Sequence, residues 1–372
     1  MRPIRLLFVL TSPVRGGVEE VVLTLLRRLD PGDFRLAVAA PRPLLDAFGT
    51  ELDDVRIDAE PIAAESLAQR REIGRLSRFI ARLRPDVVNA HLFRSTAIAA
   101  PLARWHGARV VETYHGREGW RQGRAPLRFL PDRLIGRLLD RVIAVSAAAR
   151  AFLIRAKGYR PDSITVVPNG RDLSVFVPGR AREAARKELG LDRRVPVVGV
   201  VGRLEPQKGH VYLLDAWPAV TREFPDARLL LVGEGSLRPA LEAQARARGI
   251  TASVCFTGFR DDVPRVLDAI DVLCLPSLYE GMPLTAIEAS AMARPVVATR
   301  VDGTPEVVRD GHTGRLVPPA DSPALAGALG ALLRDPDGAR RLGKAGRAWA
   351  LTRFDLDRHV DATARVYRSV AR

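Results

Sequence analysis

Cysteine is nearly absent, with only Cys255 and Cys274 in 372 residues. A disulfide scaffold is excluded, and because both lie in apolar, strand-like stretches they read as reduced core thiols of a cytoplasmic protein. Long apolar runs are missing too. Charges or prolines interrupt every stretch, such as 195–202 and 270–279, well short of the roughly 18 to 20 residues that span a bilayer. The apolar part of the first ten residues is cut off by Thr11, Ser12, Pro13 and Arg15, so a buried first strand is expected there in preference to a signal peptide. Lysine is scarce: Lys157, Lys187, Lys208 and Lys344 are the only four among 58 cations. There is no basic-aromatic RNA motif, recognition helix or zinc finger, so nucleic acid is not an expected partner despite a net charge of +15.

What is present is an ordinary globular composition, 47% hydrophobic and 27% charged, in a chain long enough at roughly 150 residues per domain for two domains. Charge is uneven, with 29 basic and 19 acidic side chains in 1–176 against 29 and 24 in 177–372. An anionic partner should favour the first half. Short apolar runs alternate with amphipathic segments, the pattern of parallel α/β units covered on both faces. The runs are 4–11, 34–40, 86–91, 110–114, 142–146 and 164–168, then 197–202, 228–233, 254–258, 272–276, 295–299 and 314–317. Two doubly wound domains are expected, 1–173 and 196–353, joined by a linker and connecting helix at 174–195. A last amphipathic helix over 354–372 closes the second domain or crosses back to the first.

In such sheets ligands bind beyond the carboxyl ends of the strands, so residues just after strands carry the chemistry. Gly16 and Gly17 follow the first strand and open a helix, where backbone N–H groups can approach an anion. An ordinary tight turn is the plain alternative. Arg203 and Lys208 stand five residues apart where a strand gives way to a helix, an arrangement suited to neutralising a diphosphate leaving group. Gly233-Glu-Gly-Ser-Leu-Arg238 begins like a dinucleotide fingerprint, but Arg238 replaces its third glycine, which argues against a nicotinamide dehydrogenase. Glu280 sits in a Gly/Pro loop at a strand end, and Glu288 follows eight residues later on an apolar helix. The first can meet sugar hydroxyls and the second vicinal ribose hydroxyls, and a carboxylate among Ile287 and Ala289 to Ala291 needs a partner. His91 and His115 each stand at or just past a strand end. Neither has a second histidine or cysteine at ligand spacing and no strand ends in an Asp-x-Asp pair, so no metal site is expected.

Together these residues resemble the retaining GT-B glycosyltransferases of family four, the group 1 glycosyltransferases. The resemblance covers nearly the whole chain and rests most on Glu280 with Glu288, Arg203 with Lys208, Val167-Pro-Asn-Gly170 and Gly303-Thr-Pro-Glu306. It implies two Rossmann-like domains facing a central cleft, with the last helix returned to the first domain. It also implies transfer of a hexosyl-type sugar from a UDP- or GDP-sugar, with retention and without a metal or other cofactor. Arg203 and Lys208 would hold the diphosphate, Glu288 the ribose and Glu280 the transferred sugar. Gly16 and Gly17 would face the phosphate, and His115 would lie beside the sugar. Gly233, Gly281, Met282 and Pro283 belong to the same donor-site loops. The loop Gly258-Phe259-Arg260 would meet the base, and Leu284 and Thr285 the phosphates. Four positions depart from the family pattern: Asn89, where many members carry histidine; Arg171, where an apolar residue is common; and Arg294 and Asp302, where glycine is usual.

The acceptor, a glycan or lipid-linked molecule of cell-surface polysaccharide or glycolipid synthesis, is expected on the N-terminal domain. The segment 119–137 mixes Trp120, Phe129 and leucines with Arg121, Arg124, Arg128, Arg133 and Arg137, which suits peripheral contact with an anionic bilayer. The helix at 66–84 has a similar composition, but its apolar face is expected to pack on the sheet. A sugar-nucleotide epimerase or phosphorylase of the same architecture, or a non-catalytic nucleotide-sugar binder, are the alternatives.

Overall fold

The computed structural model describes residues 2–64, 66, 68–117 and 129–371. Two compact units are present, one formed by Met1–Gly170 with Asp357–Arg372 and the other by Arg171–Leu356.

The first unit is built on seven strands: β1 (Ile4–Val9), β2 (Phe34–Ala40), β3 (Ile57–Pro61), β4 (Val87–His91), β5 (Arg109–Tyr114), β6 (Arg141–Ala144) and β7 (Ile164–Val166). They pair in parallel in the order β3-β2-β1-β4-β5-β6-β7. The inner strands β1 and β4 are nearly continuous apolar runs because helices cover both faces, and β4 is buried along its whole length. The sequence pattern missed β3, Ile57-Asp-Ala-Glu-Pro61, for a physical reason. It is an edge strand with Asp58 and Ala59 exposed, so it needs no continuous apolar run, and its charges and terminal proline discourage further pairing.

The second unit has six strands: β8 (Val197–Val201), β9 (Arg228–Val232), β10 (Val254–Gly258), β11 (Val272–Leu275), β12 (Val296–Thr299) and β13 (Gly314–Val317). They too are parallel, in the order β10-β9-β8-β11-β12-β13. In both sheets the strand order reverses once, between β1 and β4 and between β8 and β11. Helices leaving the two strands at such a point diverge to opposite faces, which opens a crevice at the strands' carboxyl ends.

Residues 174–195 are part of the second unit. The Arg186 guanidinium, 2% exposed, donates to Ala269 O, to three carbonyls at 192, 193 and 195, and to Asp271. Arg294, one of the departures from the family pattern, ion-pairs at 2.7 Å with buried Asp268, whose carboxylate also accepts Gly179 N–H and Ala181 N–H. The helix Leu356–Ala371 belongs to the first unit, where Tyr367 is fully buried against Phe8 and Phe34. One thiol departs from expectation. Cys274 on inner strand β11 is buried and its thiol pushed up by desolvation, but Cys255 on edge strand β10 is exposed, because only one side of that strand is paired.

The first unit also buries an ion pair, Lys157 Nζ to Asp132 Oδ1 at 2.8 Å, with the ammonium 4.6 Å from the Tyr114 ring centroid. Lys157 closes the π-helical turn Leu153–Lys157 and is 2% exposed. Removing one charge takes from the other its ion-pair partner in a low-dielectric interior. Lys157→Met is therefore expected to cost about 3–5 kcal/mol of unfolding free energy in urea titrations, most of it recovered by adding Asp132→Leu. Equal losses in the single and double variants would show that the pair is not what holds this corner.

Candidate donor-sugar site

The chemistry-bearing residues of the second unit gather at its switch point. β8 runs into Arg203 and then into a short turn, Pro206–Lys208, while β11 runs into the Glu280 loop. The two loops meet: Lys208 Nζ donates to Glu280 Oε1 at 2.6 Å, and Ser277 Oγ donates to the same oxygen at 2.7 Å. Glu280 is 6% exposed, so this carboxylate is charge-neutralised inside the protein. Its Oε2 has no hydrogen bond to another described residue. Asp302 Oδ2 accepts the Glu280 N–H at 3.1 Å, which gives this second departure a role in shaping the loop.

Close approach of backbone is required here. Gly209 has φ +62, and a Cβ on it would stand 2.1 Å from Pro276 O, while Gly233 has φ +138 and would place its Cβ 2.1 Å from Gly202 O. Only glycine fits at either position. Arg203 is exposed; its carbonyl accepts Glu205 N–H at 2.9 Å, and among the described residues its guanidinium makes no hydrogen bond or close ion pair, although its charge helps to lower the pKa of Glu205. A permanent cation whose guanidinium is not held by a side-chain hydrogen bond therefore stands on the loop whose lysine is fixed.

Gly281, Met282 and Pro283 are buried and lead into the helix Leu284–Ala291. Its first turn has no side-chain cap: Ala286 and Ile287 donate back to Pro283 O, and half-buried Leu284 and Thr285 begin the helix. Such a terminus directs N–H groups and partial positive charge at an anion. Glu288, 6% exposed on the same helix, has the partner its apolar setting demands in Arg171, Nε to Oε1 at 2.8 Å. Sequence reasoning flagged both residues without linking them, since 117 positions separate them and no periodicity connects them. Phe259 is 77% exposed, and Arg260 is committed to Asp262 and Glu188, bonds that hold its guanidinium above its ordinary pKa. These residues, with Asp261 and Arg265, line an open depression of about 400 Å³.

In the first unit, Gly16 precedes the helix Gly17–Arg28, again without a side-chain cap. The first turn brings its own carboxylate, Glu19, 6% exposed, so the charge of that terminus is already partly met. Arg15 is paired with Glu20 and Glu51. Past β5, His115 Nε2 lies 2.8 Å from His91 Nδ1 at the end of β4. Burial holds His91 well below its usual pKa, with the charges of His115 and His359 adding to it, and lowers His115 to about 3, with His359 adding. His359, on Pro168 O, is lowered by burial as well, and His210 in the second unit falls to about 4. Among the described residues no cluster of three or more His, Cys, Asp or Glu is arranged to hold a metal, and no helix is long and apolar enough to cross a membrane.

Four histidines kept neutral make acid unfolding favourable. In the unfolded chain each titrates near 6.5, so below that pH the unfolded state binds protons the folded state refuses, and stability falls as pH drops from 6.5 toward 3 to 4. His91, His115 and His210, whose pKa values lie far below that of the unfolded chain, each contribute a slope approaching about 1.4 kcal/mol per pH unit. Urea midpoints measured from about pH 7.5 to about pH 5 should fall steadily, and a flat profile would contradict neutral burial.

Two family models match the chain in succession, "Glycosyltransferase Family 4" over residues 15–175 and "Glycosyl transferases group 1" over 195–335. The chain is 38% identical over 267 residues to the GDP-mannose-dependent alpha-(1-6)-phosphatidylinositol monomannoside mannosyltransferase of Mycolicibacterium smegmatis, covering 68% of this chain and 69% of that one. It is 35% identical over 328 residues to the D-inositol 3-phosphate glycosyltransferase of Nocardia farcinica, 82% of this chain and 71% of that one. Among solved structures, Anabaena HepE in complex with UDP and glucose superposes with a TM-score of 0.86 at 22% identity, covering 98% of this chain and all of that one. The two doubly wound sheets are thus those of the GT-B architecture, and the chain belongs to the family four, group 1 glycosyltransferases.

Proposed function

We propose that this glycosyltransferase moves a hexosyl-type sugar from a UDP- or GDP-sugar to a hydroxyl of a glycan or lipid-linked acceptor, with retention at the anomeric carbon and without a metal ion. The carrying observation is the Lys208–Glu280 contact at the β8/β11 switch point, with the exposed Arg203 on the same loop as Lys208. Arg203, the Lys208 side of that contact and the uncapped amides of Leu284 and Thr285 supply the positive charge a departing diphosphate needs. Glu288 takes the ribose hydroxyls, Gly233 and the Gly258-Phe259-Arg260 loop border the nucleotide, and Glu280 Oε2 takes a sugar hydroxyl.

In the reaction the bond from the anomeric carbon to the diphosphate oxygen breaks and one to the acceptor oxygen forms on the same face. The acceptor proton leaves with the diphosphate. Glu280 is not cast as a nucleophile, because its Oε1 is already taken by Lys208 and Ser277. His115, Gly16 and Gly17 are assigned to the sugar and phosphate by family likeness. The relatives' names support both nucleotide classes, GDP-mannose in one and UDP-Gal in the alpha-1,3-galactosyltransferase of Escherichia coli, 27% identical over 339 residues.

The test is calorimetric binding of a panel of UDP- and GDP-sugars with chelator present. One nucleotide class is expected to bind, and Glu288→Ala and Lys208→Ala each to weaken it at least about tenfold, or about 1.4 kcal/mol. Binding that requires added metal, or that ignores both substitutions, overturns the reading.

Membrane contact is proposed for the helix Leu130–Gly136, where Leu130 and Leu134 are 47% and 54% exposed beside exposed Arg133 and Arg137. Residues 118–128, the rest of the segment singled out in the sequence, lie outside the described residues. The helix Arg70–Leu83 does not serve, since its Leu76, Phe79 and Ile80 are buried in the core of the first unit. Flotation with vesicles of anionic phospholipid should carry the protein up, and neutral vesicles or Leu134→Glu should reduce it. Equal flotation in all three cases removes the proposal.

A further inference from the structure

A buried chain of hydrogen bonds in the first unit ends at His115, and its polarity can be worked out from one fixed point. The Asn89 amide on β4 lies 3.1 Å from Val111 O on β5. A carbonyl oxygen only accepts, so the amide atom facing it is Nδ2, which also donates to Thr113 Oγ1 at 3.0 Å. The other amide atom, Oδ1, is then the one 2.7 Å from His91 Nε2, and it accepts Tyr367 O–H at 2.9 Å. Since Oδ1 cannot donate, His91 must carry its proton on Nε2. Burial leaves His91 uncharged, so its Nδ1 is bare, and the His115 Nε2 lying 2.8 Å away must donate to it. A neutral His115 whose proton is on Nε2 has a bare Nδ1. That atom has no partner among the described residues, and His115 itself is only half-buried.

We propose that Asn89, acting through His91 and braced by Tyr367 from the last helix, is a positioning residue that fixes His115 as the Nε2-protonated tautomer, so that its Nδ1 is a hydrogen-bond acceptor. The group this nitrogen takes is a donor, such as a hydroxyl, and not an oxyanion or a carbonyl. That the hydroxyl belongs to the sugar or the acceptor rests on the transfer reading above; the tautomer does not. An amide at 89 suits this role because its two ends differ permanently, and with Nδ2 held by Val111 O the direction of the chain is fixed.

The experiment is long-range nitrogen-proton NMR on the full chain labelled with 15N-histidine, without ligand at neutral pH, with His115→Gln used to assign the His115 signals. Both His91 and His115 are expected as single neutral Nε2–H tautomers. In His91→Leu, His115 is expected to become a mixture of tautomers while circular dichroism stays unchanged. A His115 protonated on Nδ1, or charged, in the unsubstituted protein overturns the proposal whether or not the variant folds. So does a His115 that keeps a pure Nε2–H tautomer in folded His91→Leu, because the relay would then not be what sets it. A failure of nucleotide-sugar binding leaves both spectra as they are, so the two readings fail separately.

Discussion

The Lys208 ammonium on Glu280 Oε1 is the contact on which the second unit's chemistry depends. It spans the one place where the strand order of that sheet reverses, so it joins two loops that leave for opposite faces. A carboxylate 6% exposed is costly unless neutralised, and the lysine neutralises it through one oxygen only. Glycine at 209 and 233 is what allows the flanking backbone to come this close. A longer side chain at either position would push the loop carrying Arg203 and Lys208 away from its partner.

The same constraint, that buried charge and buried amide need a defined partner, is met at Arg171, Arg294, Asp302 and Asn89, the four positions singled out in the sequence. Arg171 holds Glu288, Arg294 holds Asp268 together with the segment that begins at Gly179, and Asp302 accepts the Glu280 amide. Asn89 orders the histidines. Each of the four is a polar side chain taken up by a fixed hydrogen-bonding group rather than by solvent alone. In an arginine-rich chain a guanidinium is well suited to this, because its planar fork can serve a carboxylate and carbonyls at once, as Arg186 and Arg294 both do.

The doubly wound character of both sheets was legible in the sequence because strands covered on both faces must be continuous apolar runs, and such runs are visible one residue at a time. Among the described residues, every strand except β3 falls within a short apolar run, and the inner ones are the most continuous. The exception, β3, lies at an edge, where solvent takes one side and the pattern dissolves into Ile57-Asp-Ala-Glu-Pro61. Cys255 was misplaced for the same reason, since an edge strand exposes residues that a central strand of equal hydrophobicity would bury.

The sequence by itself determined the fold class and the residue types at the strand ends, because both follow from local rules: burial of apolar runs, glycine where backbone must approach backbone, cations and acids just past a strand. It also showed that Glu288 needs a partner. Only the tertiary structure decided which partner: Arg171 for Glu288, Lys208 for Glu280, Asn89 for His91. Two of these pairs are far apart in sequence, and even the neighbours Asn89 and His91 are oriented by Val111 and Tyr367 from other elements. Hydrogen-bond polarity depends on which atoms finally face each other, and no pattern along a chain encodes that before the chain has folded.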